Sequence, residues 1–271
     1  MDINAETIDF ILKVITLATI FIIATGLIIG GSINYRKSAS GIYSEDQSFN
    51  IVDVFLCLGF LWFFSKQAFI EPQAAAEGTS ATMNSVVINA IASIVFIGIV
   101  VGRYAVKRNL KFIKFTPLSW RNDLLYPLGV IATLYIVNFF YGVAIHEWLK
   151  SVIGTDTRQT VVIEMQNQPD LAVKWGLSIL AVIFAPFMEE IVFRGYIYPA
   201  TAFFTNKWFA GITSALLFGV IHHNAFALIP LTIFGVLLVL LYERTKSVLP
   251  CIIAHLIFNL ISVLSLHFLS K

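Results

Sequence analysis

FALIPLTIFGVLLVLLY, residues 226–242, carries no charged side chain and no polar one beyond Thr232 and Tyr242. At 1.5 Å per residue such a run is nearly long enough, as a helix, to cross a hydrocarbon core about 30 Å thick. The strict alternation of a membrane β-strand is absent from it. Seven further stretches read the same way: Ile8–Ile29, Phe49–Ile70, Met83–Val101, Leu124–Ile145, Val173–Ile191, Trp208–His222 and Val248–Leu269. The sixth in chain order, Trp208–His222, is short and ends at His222-His223-Asn224. The expectation is an all-α, polytopic transmembrane bundle of about eight spans. Loops are short, and residues 1–271 read as a single integral membrane domain. The first span lacks a basic leader and is too long for the apolar part of a signal peptide, so it is expected to be retained.

Composition supports this reading. Of 271 residues, 58% are hydrophobic and 13% charged, against about a quarter charged in soluble domains. So little charge excludes a water-soluble fold, a disordered chain and a basic nucleic-acid-binding face. The two cysteines, Cys57 and Cys251, lie in apolar runs and cannot build a disulfide framework.

Lys and Arg in short loops set the orientation. Arg103, Lys107, Arg108, Lys111, Lys114 and Arg121 crowd one acid-free loop, which is expected to be cytoplasmic. Alternation then places Arg36, Lys37, Arg244 and Lys246 inside, Glu71 and Glu77 outside, and both termini outside. In a prokaryote this is a protein of the cell membrane. The connection from His146 to Asp170 is the one long polar segment and reads as a lid or linker.

Charge within a span is costly and marks a candidate site. Lys13 and Lys66 are near span ends, where they can snorkel. Asp53 is in the first turn of its span, where the helix dipole favours a carboxylate. His146 and His267 are read as interfacial. Three clusters within 171–269 have no such explanation: Glu189-Glu190-x-x-x-Arg194, Phe218-x-x-x-His222 and His255-x-x-x-Asn259. Helical spacing places Glu190 beside Arg194, turns Glu189 about 100° away, and sets Phe218 one turn below His222. His255 and Asn259 share a face. His223 breaks the Phe218 spacing, which favours His222. A desolvated glutamate can take a proton from water. One imidazole can hold that water, and a second imidazole with an amide can stabilise an oxyanion.

These three motifs, in this order and in apolar helices, resemble the CAAX prenyl protease family, which includes Ras-converting CAAX endopeptidases and bacteriocin-processing or immunity relatives. Tyr242-Glu243-Arg244-Thr245 is also similar to many members. The resemblance covers roughly residues 170–265 and implies an intramembrane glutamate-dependent endopeptidase without a metal or other cofactor. Glu189 would be the general base, His222 would help to activate water, and His255 with Asn259 would form the oxyanion hole. Glu190 and Arg194 would support the site. Its partners would be a peptide or lipidated peptide, cut near a CAAX-type C-terminus, and membrane lipid, with no nucleic acid. Counting residues from flanking lysines puts Glu189 and His255 in the cytoplasmic half and His222 some 10 Å deeper, by about 1.5 Å per residue.

Other readings stay open. Cys251, His255 and Asn259 fall at i, i+4 and i+8, which suits a thiol enzyme, although burial makes a thiol inert. Glu189, His222 and His255 are a possible zinc set, although His-Glu-x-x-His is absent. Polar groups lining a membrane cavity also build transporters and immunity-type binding proteins.

Overall fold

The computed structural model describes residues 5–39, 49–76, 82–106, 119–143, 148, 151 and 160–269. Its helices are α1 (Ala5–Ala39), α2 (Ile51–Ala76), α3 (Met83–Val106), α4 (Trp120–Tyr141), α5 (Thr160–Asn167), α6 (Leu171–Phe204), α7 (Lys207–Val220), α8 (Ala225–Thr245) and α9 (Leu249–Leu269). No strand occurs among the described residues. Lys107, Arg108, Lys111, Lys114, Glu77, His146 and most of the connection that follows it lie outside the described residues. So do the side chains of Arg36, Lys37, Lys66, Glu71 and His267.

Six of these helices (α1, α3, α4, α6, α8 and α9) are long and apolar enough to cross a membrane. The other two expected spans fall on a short apolar helix and on a helix whose side chains are described only over its first half. These are α7, with 14 residues, and α2, whose described apolar part is Ile51–Phe63. A 14-residue helix rises only about 20 Å, too little for the bilayer core.

The distribution of side chains is that of an integral membrane protein. Phe21 is 71% exposed and Trp208 is 79% exposed, whereas Asp53, Glu190 and Arg194 are fully buried. Lipid solvates apolar groups, so ionic groups gather inside, where partners can satisfy them.

Polar residues punctuate the last third of the chain. The Asp170 side chain caps α6 by accepting from Ala172 N at 2.8 Å. Asn206 caps α7 through Phe209 N, and Asn224 caps α8 through Ala227 N, both at 2.9 Å. An extended cap residue whose side chain takes an early N–H starts a helix cleanly even in an apolar run. Lys246, in the left-handed region at φ 53°, ends α8. Helices α7 and α8 form an antiparallel hairpin. Glu243 near the end of α8 pairs with Lys207 at the start of α7 (3.0 Å) and with Lys246 (2.7 Å). A Cβ at Gly235 would lie 2.9 Å from the Ala215 Cα, so the two backbones approach as closely as only glycine permits.

Helix α6 runs well beyond its expected end at Ile191. Its regular section Ala185–Val192 is flanked by two π-helical segments, Leu180–Phe184 and Phe193–Ile197. The Ala185 N–H bonds to Leu180 O and the Tyr198 N–H to Phe193 O, each five residues back. Pro186, at the start of the regular section, lacks an N–H, which favours irregular bonding there.

Candidate active site

Glu189 and Glu190 stand on the regular section of α6 near the middle of the helix. Arg194 follows at the start of the second π segment. The expected i,i+4 pair is present: Arg194 Nη1 donates to Glu190 Oε1 at 2.9 Å, with both side chains fully buried. Arg194 Nη2 also donates to the Gly235 carbonyl of α8 at 3.3 Å, and its guanidinium lies 4.6 Å from the centre of the Phe218 ring. Gly235 is the midpoint of α8, which places the ion pair at the centre of that membrane-crossing helix.

His255 comes from α9 and joins the two glutamates. Its Nδ1 lies 2.9 Å from Glu190 Oε1, and its Nε2 lies 4.0 Å from Glu189 Oε2. A 2.9 Å contact to a carboxylate makes Nδ1 the protonated donor. The second separation is too long for a direct hydrogen bond and leaves room for an intervening oxygen. Glu189 Oε2 is buried and has no hydrogen-bond partner. The two adjacent carboxylates thus occupy different environments. Glu190 Oε1 is held by two cationic or hydrogen-donating groups, while Glu189 is held by neither; each carboxylate keeps a buried, unpartnered Oε2.

Asn259, one turn after His255, donates from Nδ2 to Ala181 O at 2.7 Å. That carbonyl belongs to the first π segment of α6. The bond orients the amide and leaves its second N–H uncommitted by this contact.

His222 lies just past the end of α7, in the turn that leads to α8. Its Nδ1 is 2.7 Å from Phe218 O, so the ring folds back over the last helical turn and Nε2 becomes the acceptor nitrogen. His222 is therefore not on a continuing helix. Next to it, His223 has φ 46° and both ring nitrogens buried without partners. The expected aromatic wall is Phe218, and it does more than back His222. Its ring meets His222 at 5.1 Å and His255 at 5.6 Å between centroids. Phe218 therefore holds both imidazoles and the Arg194 guanidinium around one ring.

All six expected residues, Glu189, Glu190, Arg194, His222, His255 and Asn259, therefore gather where α6, α7 and α9 meet, with Gly235 of α8 completing the set. Among the described residues, no three His, Cys, Asp or Glu side chains are grouped so as to hold a metal ion. Cys251 is fully buried, and its thiol donates to Leu238 O at 3.4 Å.

Two charged residues have partners beyond those the sequence suggested. Lys13 does not merely snorkel, since its Nζ pairs with Asp9 at 2.6 Å. Asp53 does accept a bond near its helix N-terminus, from Asn50 N at 2.6 Å. It is also the centre of a buried network. Arg103 Nε donates to Asp53 Oδ1 at 2.8 Å, and the Tyr196 hydroxyl donates to the same oxygen at 2.6 Å. Sequence reasoning assigned Arg103 to the basic loop alone and did not single out Tyr196. The signal available was an acid early in one span and an arginine late in the following one, which a short hairpin brings to the same end of the bundle.

Residues 171–261 match the family model described as "Type II CAAX prenyl endopeptidase Rce1-like". That range holds all six candidate residues. The chain is 33% identical over 134 residues to "Putative membrane peptidase YdiL" of Bacillus subtilis (strain 168), covering 49% of this chain and 53% of that protein. It is 34% identical over 144 residues to "UPF0177 protein YbdI" of Lactococcus lactis subsp. lactis (strain IL1403), covering 51% of this chain and 74% of that one. The chain thus spans about half the length of the first relative and about three quarters of the second. No solved structure matches it.

Proposed function

Because this chain belongs to the Rce1-like family of type II CAAX prenyl endopeptidases, we propose that it is an intramembrane endopeptidase that hydrolyses its substrate with a glutamate-activated water. The observation that carries the reading is the division of labour between the two glutamates. Glu190 is fully buried and its Oε1 takes both Arg194 and His255, its Oε2 remaining unpartnered, whereas Glu189 is 13% exposed, takes neither group as a hydrogen-bond partner and faces His255 Nε2 at 4.0 Å. The carboxylate that is not tied to the guanidinium and is partly accessible is the one that can reach a water and take its proton.

In this mechanism the Glu189 carboxylate removes a proton from water while the water oxygen attacks the scissile carbonyl carbon. His222 Nε2, the acceptor nitrogen, holds that water in line. Negative charge then develops on the carbonyl oxygen. His255, with Nδ1–H given to Glu190, presents Nε2–H to that oxygen in its imidazolium form, and the second N–H of Asn259 joins it. Collapse of the tetrahedral intermediate breaks the C–N bond, and the proton held by Glu189 passes to the leaving amine. Glu189 and Glu190 balance Arg194 and imidazolium His255, so four charges sum to zero in a low-dielectric interior, where an uncompensated charge would be expensive.

The substrate we propose is the peptide segment near the C-terminus of a prenylated CAAX-type chain or of another membrane-associated peptide, reached from the cytoplasmic half of the bilayer. His255 is only about 9 Å along α9 from Leu249, at the end where Arg244 and Lys246 lie, which supports that side.

The test is proteolysis in liposomes, with wild type, Glu189→Ala and Glu190→Ala acting on a farnesylated C-terminal reporter and an unlipidated leader-type peptide, with and without chelator. The expected result is chelator-resistant cleavage that disappears in Glu189→Ala. Wild-type turnover by Glu189→Ala would overturn the glutamate mechanism, and loss of turnover on chelation would replace it with a metal-dependent one.

A further inference from the structure

The catalytic motifs all lie in the last third of the chain, yet a buried polar network from α2 and α3 grips the same helix that carries the glutamates. Asp53 of α2 is fully buried. Arg103 of α3 holds it with Nε at 2.8 Å and Nη2 at 3.1 Å, and also donates to Asn50 Oδ1 at 2.8 Å. The Tyr196 hydroxyl of α6 donates to Asp53 Oδ1 at 2.6 Å. One helical position earlier, the Gly195 carbonyl accepts the Tyr104 hydroxyl at 2.7 Å. The Tyr196 ring is packed edge-on against Phe49, Phe60 and Tyr104, with centroids 5.8–6.1 Å away.

Both attachments fall inside the π segment Phe193–Ile197, the segment that begins beside Arg194. A π turn holds about one residue more than an α turn, so relaxing it to α geometry would rotate one half of α6 against the other by about 100°. Arg194 and Tyr196 are two residues apart and so project to roughly opposite sides. Arg194 reaches Gly235 and Glu190, while Tyr196 reaches Asp53. A physical chain therefore runs from Asp53 through Tyr196 and the backbone to Arg194, Glu190 and His255. Moreover, a buried ion pair is weak evidence for stability, since apolar replacements of the same volume are often neutral or better. Here Asp53 is fully buried while Arg103 is partly exposed, and what the pair supplies is a fixed geometry for the Tyr196 hydroxyl.

We propose that Asp53, Arg103, Tyr104 and Tyr196 are positioning residues that clamp the wide turn of α6 and thereby fix the Glu190–Arg194–His255 array that serves Glu189. The kinetic consequence rests on the endopeptidase reading, and the mechanical consequence does not. The experiment compares wild type, Tyr196→Phe, Tyr104→Phe and Asp53→Asn in liposomes, with Glu189→Ala as the control. Turnover of the farnesylated reporter is read as kcat and KM, and amide hydrogen exchange is followed along the whole chain. Tyr196→Phe removes one hydroxyl and keeps the ring, so the fold is retained even if Asp53→Asn proves unstable. The expected result is a kcat lowered about tenfold or more with KM within about twofold, since small misplacements of catalytic groups act on the chemical step. Exchange rises in residues 193–198 and stays unchanged in α8. The Tyr196→Phe and Asp53→Asn effects are non-additive, as expected of one shared bond. Unchanged kcat in Tyr196→Phe while Glu189→Ala is inactive overturns the clamp and leaves the endopeptidase reading standing. If no variant cleaves either reporter, exchange decides alone: a rise confined to 193–198 supports the clamp, and a uniform rise or none overturns it.

Discussion

Replacing Arg194 with methionine removes a cation from a site where every neighbouring group depends on it. The guanidinium is fully buried, donates to Glu190 Oε1 at 2.9 Å and to Gly235 O at 3.3 Å, and lies 4.6 Å from the centre of the Phe218 ring. Methionine fills much of the same volume, so the packing loss is small. The loss is electrostatic: Glu190 remains buried with His255 as its one polar partner. Breaking a buried pair by removing one member costs about 3–5 kcal/mol, and the cation–π contact adds about 1 kcal/mol or more. Arg194→Met is therefore expected to destabilise by about 5 kcal/mol, which is roughly several thousandfold in the folding equilibrium. The double variant Glu190→Gln/Arg194→Met removes both charges, and the amide oxygen of the introduced glutamine can still accept from His255 Nδ1. It should recover at least half of that loss. Reversible unfolding in mixed micelles, titrated with denaturing detergent and followed by tryptophan fluorescence, measures both. A single variant that costs less than about 1 kcal/mol, or a double variant no more stable than the single, would refute the claim that Glu190 is an ionised carboxylate dependent on Arg194.

Glu189→Gln is expected to abolish cleavage while leaving the unfolding midpoint unchanged or raised, because it removes a buried acid with an unpaired oxygen; a clear drop in the midpoint would show that Glu189 is structural. His222→Ala should lower kcat about a hundredfold or more, whereas His223→Gly should preserve turnover and add up to about 1 kcal/mol of stability by relieving its positive φ. Equal losses in the two would contradict the assignment of His222. Gly235→Ala should cost about 1–3 kcal/mol by forcing α7 and α8 apart, since its Cβ would lie 2.9 Å from the Ala215 Cα; an unaffected midpoint would show that the hairpin yields easily. Cys251→Ala should retain wild-type turnover, and inactivation would favour a thiol mechanism over the glutamate one.

What could be read from the sequence is what one helix decides within itself. Hydrophobic length predicted membrane helices, because a bilayer leaves the backbone few other structures. One-turn spacing predicted the Glu190–Arg194 pair, because residues four apart meet on any helix whatever surrounds it, and the Phe218–His222 contact survives although the helix ends between the two. The resemblance of three short motifs pointed to the family to which the chain belongs. Tertiary structure decided what spacing does not encode. It gave His255 to Glu190, over 65 positions of sequence, and left Glu189 tied to neither His255 nor Arg194. It stopped α7 at Val220, because Asn224 caps the next helix and His223 turns the chain. It joined Asp53 to Tyr196 across 143 positions, through a wide turn that no apolar pattern announces. Hydrophobicity in lipid fixes which segments are helical, but it does not rank the ways of packing them. That choice falls to the few buried polar groups, each of which must find a partner, and those partners come from distant parts of the chain.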